Sequence, residues 1–289
     1  MRRRKGDWPS VSIVGPGRLG SALAKNLHRS GWKIDCLVVR PAKRVTRDVA
    51  ELARQYGAQV VRLGEAPLPS KLVWITVPDD AIGQVAAQLA RDHNWQGRTA
   101  FHSSGALSSD VLSGLRKKGA SVASVHPGMT FVRKSAPSLA GVPFGVEGDV
   151  RAVRLAKRIV ADLGGEAFRI RTENKVLYHA FDVFASPLLV ALMAALEQVG
   201  EAAGIRRSKV GTMAGPLLRQ TLSNYLEYGA AAAFSGPLIR GDVETIRGHL
   251  LALRKTPAAR SAYLALAWSA LEGLPVKNRA ALERELRKK

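Results

Sequence analysis

The run Val11-Ser12-Ile13-Val14-Gly15-Pro16-Gly17-Arg18-Leu19-Gly20 constrains this chain more than any other stretch. A short, largely β-branched segment feeds a glycine turn, and an amphipathic segment reaching Leu27 follows at once. Such an order spells strand, tight reversal and helix. Gly15 permits the sharp turn, Gly17 lets a ligand approach the main chain, and Gly20 lets helix and strand pack closely. The helix that starts near Arg18 turns its unpaired N–H groups and positive dipole end toward an anion. The pattern predicts a dinucleotide diphosphate over Gly15, Gly17, Arg18, Leu19 and Gly20. A ligand-free strand-turn-helix is the plain alternative.

From Val11 to about Ile170, strand and helix signals alternate. Apolar runs at 11–14, 34–39, 72–77, 99–102, 121–125, 144–146 and 167–170 read as strands, and periodic segments at 21–30, 46–56, 80–92, 109–117 and 150–163 read as helices. Alternation of this kind predicts an α/β fold with a doubly wound, mostly parallel sheet. Beyond Arg171 nearly everything reads helical, with breaks expected at Gly204, Gly215-Pro216, Gly229, Ser235-Gly236-Pro237, Thr256-Pro257 and Gly273. Two domains follow, a dinucleotide-binding one over 1–171 and an all-α substrate and dimerisation domain over 172–289. The segment Val183–Val199 is apolar on most sides, which places it in a core or a subunit interface, with a kink at Pro187.

The chain is strongly basic, with a formal net charge of +21 over 289 residues. Anionic partners are favoured by such a balance. Apart from Arg2–Lys5 and the last four residues, however, the cations are dispersed, and no nucleic-acid module is recognisable, so a solvated basic surface is the simpler account. The single cysteine, Cys36, excludes an internal disulfide and lies in an apolar strand, consistent with a buried thiol and a reducing, cytoplasmic setting. No uninterrupted apolar stretch reads as a membrane span, and no metal-ligand spacing is evident.

Where NAD-binding units carry an acid after the second strand, this chain has Arg40, Lys43 and Arg44. Those cations favour a 2′-phosphate, hence NADP over NAD. Val77 and Pro78, after the strand 72–77, are placed to wall the nicotinamide, and Asp80 to cap the helix beyond. Reduction of a carbonyl needs an oriented substrate and a proton donor. Ser103, Ser104 and His126 close neighbouring strands. Lys175, His179, Asp182 and Ser186 lie at offsets of four, seven and eleven, on one helical face. Lys175 and His126 are the candidate donors. Arg240 suits a carboxylate clamp, with Asp242 beside it as substrate contact or helix cap.

The stretches 15–20, 77–82, 101–107, 125–131, 178–186 and 235–250 together resemble a bacterial family of Rossmann-like proteins with a C-terminal domain of unknown function (2520 type). That family is similar to the superfamily of pyrroline-5-carboxylate reductase, ketopantoate reductase and 6-phosphogluconate dehydrogenase. The resemblance implies an NADP-dependent oxidoreductase acting on a small acidic carbonyl compound, ketopantoate-like, or an imine, and working as a homodimer. Lys175 matches the lysine that ketopantoate reductases carry early in their long helix, whereas His179 stands where they have asparagine. His126-Pro127-Gly128-Met129 is similar to the His-Pro-Met stretch of prephenate dehydrogenases, with one glycine inserted. A non-catalytic NADP-binding regulator and a prephenate- or arogenate-dehydrogenase-like enzyme are the alternatives.

Charge-assisted hydrogen bonds contribute roughly 1.5–3 kcal/mol. Arg40→Ala is therefore expected to weaken NADPH about tenfold or more while leaving NADH nearly unchanged, as read by fluorescence titration. Equal affinity of the parent for both coenzymes would remove the basis for this expectation.

Overall fold

The first strand, β1 (Ser10–Val14), pairs in parallel with β2 (Lys33–Val39) on one side and β4 (Leu72–Ile75) on the other. The chain moves outward from β1 through β2 to β3 (Gln59–Arg62), then returns across β1 to β4 and continues through β5 (Thr99–His102), β6 (Ser121–Pro127), β7 (Pro143–Gly148) and β8 (Glu166–Arg169). The sheet order is β3-β2-β1-β4-β5-β6-β7-β8. Every neighbouring pair is parallel except β6 with β7. The doubly wound, mostly parallel sheet expected from the sequence is therefore present. Its topological switch lies between β1 and β4, where ligands bind in sheets of this kind. The computed structural model describes residues 9–41, 44–92, 94–132 and 137–288. Lys43 and the basic cluster Arg2–Lys5 lie outside the described residues.

Helices cover both faces of the sheet. On one, α1 (Arg18–Arg29), α2 (Arg47–Tyr56) and α5 (Val150–Asp162) bury Leu23, Leu27, Val49 and Ile159 against Ile13, Trp74, Phe101 and Phe144. On the other, α3 (Asp79–Asp92) and α4 (Ser113–Lys117) bury Ile82, Leu89 and Leu115 against Val38, Ile75 and Val122. The central strands are buried on both faces, which is why they read as continuous apolar runs rather than alternating ones. Cys36 is buried in this sheet as a free thiol.

Some local expectations are corrected. The strand β3 escapes the sequence reading because Gln59 and Arg62 at its ends are exposed and only four residues pair. Segment 109–117 opens as a 3-10 turn, Ser109–Leu112, before α4. Pro187 does not kink a continuous helix. The backbone leaves helical geometry at Ser186 (φ −130°, ψ −83°), ending α6 (Lys175–Ala185), and Pro187 opens α7 (Pro187–Ala202), a first-turn position that needs no N–H donor. Conversely, α8 (Arg207–Ala233) runs through Gly215 and Pro216 and breaks instead at Gly229 (φ 79°, ψ 173°).

The run Thr172–Ala202 is apolar and long enough to cross a bilayer by length and composition, its most apolar 18 residues having a mean hydropathy of 1.7, contrary to the sequence expectation. The break at Ser186 divides it into helices of 11 and 16 residues, each shorter than the ~20 residues a span needs.

Two compact units part between Val183 and Phe184 rather than at Arg171. Helix α6 stays with the sheet because Thr172 donates to Glu147 of β7 and Lys175 is buried among strand ends. The second unit is all-α. In it α10 (Val243–Ala252), α11 (Pro257–Gly273) and α12 (Arg279–Leu286) share a core of Ile246, Leu250, Ala267, Leu271, Leu282 and Leu286. Helix α7, in contrast, is largely exposed within its own chain, so it is not a core helix.

Candidate active site

The glycine turn is built for close approach. Gly15 has φ +88°, and a Cβ there would lie 2.6 Å from Val77 Cγ1. At Gly20 it would lie 2.5 Å from both the Gly15 carbonyl oxygen and Thr76 Oγ1. The Thr76 hydroxyl donates to the Gly15 carbonyl at 2.8 Å, which ties the turn to the end of β4. At Gly17, by contrast, a Cβ would meet only the Gly15 carbonyl oxygen, at 3.9 Å. Gly17 is the N-cap of α1 and offers no side-chain cap, so the first-turn amides are left for another acceptor. Open space, uncapped amides and a positive dipole end together fit a diphosphate. Arg40 follows β2 at the same sheet edge, and both it and Arg44 are exposed. The Arg18 side chain reaches the Phe131 carbonyl (3.4 Å), and Leu19 packs on the core below. Helix α3 begins at Asp79, and it is this residue, not Asp80, that makes a tertiary contact.

A second polar group lies at the carboxyl ends of β5 and β6. His102 is fully buried. Its Nδ1 accepts the Ser104 amide and its Nε2 lies 3.2 Å from the Ser108 carbonyl, so the neutral ring donates through Nε2. Burial, aided by the Lys175 charge, pushes its pKa down from 6.5 to about 3. The Ser103 hydroxyl accepts the Trp74 indole N–H at 2.8 Å. The Ser104 hydroxyl donates to Asp79 (2.7 Å) and accepts the Ala106 and Leu107 amides. Both serines are buried and hold the strand end in shape. The hydroxyls of Ser103 and Ser104, expected as catalytic groups, are both engaged by these partners in the structure.

Lys175 is the surprise of the site. Only 2% of it is exposed, and its ammonium donates to the Ser104 carbonyl and to Ser124 Oγ, each at 3.0 Å. The same nitrogen lies 5.4 Å from the centre of the Tyr178 ring. Burial lowers its pKa to about 8, against the pull of Glu147, Asp182 and Asp79. The ammonium expected as a proton donor is thus enclosed and hydrogen-bonded at two strand ends.

One turn further along α6, four side chains come together. His126 Nδ1 lies 3.1 Å from the Tyr178 hydroxyl and 3.4 Å from Asp182 Oδ2. The rings of Tyr178 and His179 both meet His126 edge-on, at 5.7 and 6.2 Å between centres. Glycines make the room. Gly145 pairs with His126 across the antiparallel strands, and a Cβ on it would lie 2.7 Å from the Tyr178 ring. A Cβ on Gly105 would lie 2.5 Å from the His179 ring and 3.1 Å from His126 Nε2. Burial and the charges of Lys175 and His179 hold His126 neutral, with a pKa of about 4, while burial raises those of Tyr178 and Asp182. Sequence reasoning put Asp182 on this face without a role and missed Tyr178. Its offset of three from Lys175 on the same face was the available signal.

Of the remaining candidates, Arg240 already holds Asp242, through Nε at 2.9 Å and Nη2 at 2.7 Å. Asp242 precedes α10 without capping it through its side chain. Ser186 sits at the break before α7. Among the described residues, no group of three His, Cys, Asp or Glu is placed to hold a metal ion.

Comparisons with known proteins agree with this architecture. Residues 5–127 match a Rossmann-like domain, and residues 142–270 match a domain of unknown function, DUF2520. No curated protein matches the chain by sequence. Among solved structures, protein TM1727 of Thermotoga maritima is 26% identical, with a TM-score of 0.71 over 96% of this chain and 100% of that one. A Bacteroides fragilis protein provisionally described as an NADP oxidoreductase is 22% identical, with a TM-score of 0.73 over 91% and 97%. A reductive aminase from Aspergillus terreus, solved with NADPH and ethyl-5-oxohexanoate, is 16% identical, with a TM-score of 0.67 over 96% and 99%.

The two histidines give a sign that can be checked. Both have folded-state pKa values below the ordinary 6.5, so between that value and about 4 the unfolded chain binds more protons than the folded one. Stability is then fully present above pH 6.5 and falls as the pH drops through this window. Ring-proton NMR should show one imidazole titrating near pH 4 and another near pH 3, and melting temperatures should fall from pH 7 to pH 4. Midpoints near 6.5 for all six histidines would contradict the burial argument.

Proposed function

We propose, from the premise that this chain belongs to the Rossmann-like proteins carrying the DUF2520 domain, that it is an NADP-dependent oxidoreductase. Its substrate is a small molecule with a reducible C=O or C=N bond. The observation that carries this reading is the arrangement of one sheet edge. The glycine cradle at the end of β1 and the His126–Tyr178–His179–Asp182 group beyond β6 lie along the same carboxyl edge of parallel strands.

When bound, NADPH supplies a hydride. The amides of Arg18, Leu19 and Gly20 would hold its diphosphate, with room left at Gly17, whose own amide donates to the Gly15 carbonyl; Arg40 and Arg44 would favour its 2′-phosphate, and Val77 with Pro78 would wall the ring. His126, Tyr178 and His179 orient the reacting bond and hydrogen-bond the heteroatom that ends protonated. Lys175 and Ser104 keep α6 and the β5 end in register for that contact. The likeness to the Bacteroides fragilis and Aspergillus terreus proteins supports this reading at the level of fold and coenzyme class. Among substrates a small ketopantoate-like carboxylate-bearing carbonyl compound comes first and an imine second; in the single chain Lys175 is enclosed and Arg240 is paired with Asp242.

The reading is tested by titrating the purified chain with NADPH and following its oxidation against a panel of imines, ketones and keto acids. Saturable binding, lost in Gly17→Leu, and substrate-dependent oxidation are expected. Binding without turnover of any panel member would point to a regulatory NADP-binding protein instead.

The same premise includes a cytoplasmic homodimer. Leu189 and Val190 of α7 and Leu217, Leu222, Tyr225 and Leu226 of α8 are exposed in the single chain. A second copy supplies a matching apolar surface by two-fold symmetry. Light scattering should give twice the chain mass, and Leu217→Asp with Leu226→Asp should give monomers. Pelleting of the parent with lipid vesicles would assign these helices to a membrane surface instead.

A further inference from the structure

Glu147 is as deeply enclosed as Lys175, each being 2% exposed. It lies on β7 directly opposite Ser124 of β6. Directly opposed residues of antiparallel strands present their side chains on one face of the sheet, a few ångströms apart. The Ser124 hydroxyl is one of the two acceptors of the Lys175 ammonium, at 3.0 Å. A buried anion and a buried cation therefore flank the same cross-strand position.

Three donors converge on the Glu147 carboxylate. The Ser109 amide reaches Oε1 at 2.6 Å, and the Ser109 and Thr172 hydroxyls reach Oε2 at 3.0 and 3.1 Å. They come from the turn after β5 and from the entry to α6, and none of them carries a positive charge. The set suits a carboxylate, which only accepts. Lys175 is in the reciprocal condition, because the Ser104 carbonyl and the Ser124 hydroxyl carry no negative charge. A buried ion needs an opposite charge to offset its lost hydration. Burial pushes the Lys175 ammonium toward its neutral form, to a pKa of about 8, and Glu147 is the foremost charge that opposes this, ahead of Asp182 and Asp79. Asp79 is exposed, where solvent weakens its field, and burial raises the pKa of Asp182. His102 of β5 and His126 of β6 face Lys175 as neutral rings, and burial raises the pKa of the Tyr178 phenol. His179, one turn along α6, bears on His126 and Asp182.

We propose that Glu147 is a positioning residue of the site: its buried negative charge balances the Lys175 ammonium, and through that ammonium it holds Tyr178, His179 and Asp182 of α6 over the ends of β5 and β6. The inference deepens the oxidoreductase reading and rests on it for the assignment of these side chains to an active site. Charge and hydrogen bonding are separable here. Glu147→Gln can keep all three contacts, with the amide oxygen accepting the Ser109 N–H and the NH2 group donating to the two hydroxyls, so it removes only the charge. Thr172→Val removes the hydrogen bond at the entry to α6 and leaves the charge. Lys175→Met removes the cation and fills most of its volume.

The experiment follows the Lys175 ammonium of the full chain by nitrogen-edited NMR as the pH is raised, with Lys175→Met assigning the signal. The parent signal is expected to titrate near pH 8, about one pH unit or more lower in Glu147→Gln, and unchanged in Thr172→Val. Urea unfolding at pH 6, where Lys175 is protonated, is the second readout. Glu147→Gln should raise the unfolding constant about tenfold or more in the parent and about threefold or less in Lys175→Met. Its cost in the parent should shrink at pH 10, where Lys175 is neutral. At pH 6, amide exchange from Tyr178 to Asp182 should quicken in Glu147→Gln about tenfold or more relative to that of α5. A tie made of hydrogen bonds alone would leave the ammonium midpoint in place. An unmoved midpoint in Glu147→Gln, equal costs with and without Lys175, or no selective loosening of α6 would overturn the proposal. Should either single variant fail to fold, the double variant decides, since its folding supports the charge balance and its failure overturns it. None of these measurements needs coenzyme or substrate, so failure of the oxidoreductase reading, seen as absent NADPH binding or turnover, is a separate result.

Discussion

The buried ammonium of Lys175 holds the site together. An ammonium taken out of water is costly by several kcal/mol unless hydrogen bonds and opposite charges offset the loss. Here the Ser104 carbonyl and the Ser124 hydroxyl receive it at 3.0 Å, and three carboxylates surround it. Those two acceptors belong to the ends of neighbouring strands, so the lysine can be satisfied in this way only when α6 sits over β5 and β6. Everything α6 presents to the site, Tyr178, His179 and Asp182, is positioned by that contact. The tie from Thr172 to Glu147 fixes the entry to the helix from the other side. With one anchor in its first turn and one in the turn just before it, α6 belongs mechanically to the sheet, although its apolar sequence resembles that of the helices after it.

Glycine does complementary work. Four glycines, at 15, 20, 105 and 145, stand where a single methyl group would collide with a neighbour the fold needs. Two of them close the turn against β4, and two admit the rings of Tyr178 and His179. Backbone approach at the first pair shapes an anion cradle, whereas side-chain approach at the second pair packs a polar group around His126. Fold and site therefore depend on the absence of side chains at few positions, and each absence has a different beneficiary.

The sheet was legible in the sequence because its strands are buried on both faces and its helices carry strong one-sided patterns. The diphosphate turn was legible because its glycines are consecutive features of one unit. The polar site was only half legible. His126 and Lys175 announce themselves as ionisable residues at strand and helix ends, but nothing local says that Lys175 turns inward while its neighbours Val176 and Leu177 turn outward. Ser103 and Ser104 read as reactive hydroxyls until the partners Trp74 and Asp79, 29 and 25 residues away, are known. Tyr178 is recognisable only through Gly145, whose missing side chain creates its place. Long-range pairing of this sort has no periodicity to reveal it. The course of Pro187 is a different failure. A proline inside an apolar run marks a kink or a helix start equally well, and the backbone at Ser186 decides between them.

Charge is distributed along the sheet edge in a way that total composition conceals. At β1 and β2 the uncapped start of α1 and the cations Arg40 and Arg44 present a positive end suited to phosphates. At β5 and β6 the balance reverses, with three carboxylates against one ammonium. Dissolved salt at physiological strength screens the dispersed surface cations within about 8–10 Å, so they do little to neutralise a site enclosed by strand ends and α6. A small charged molecule near that site responds to the enclosed groups first, because short-range interactions in a poorly hydrated setting outweigh distant exposed ones.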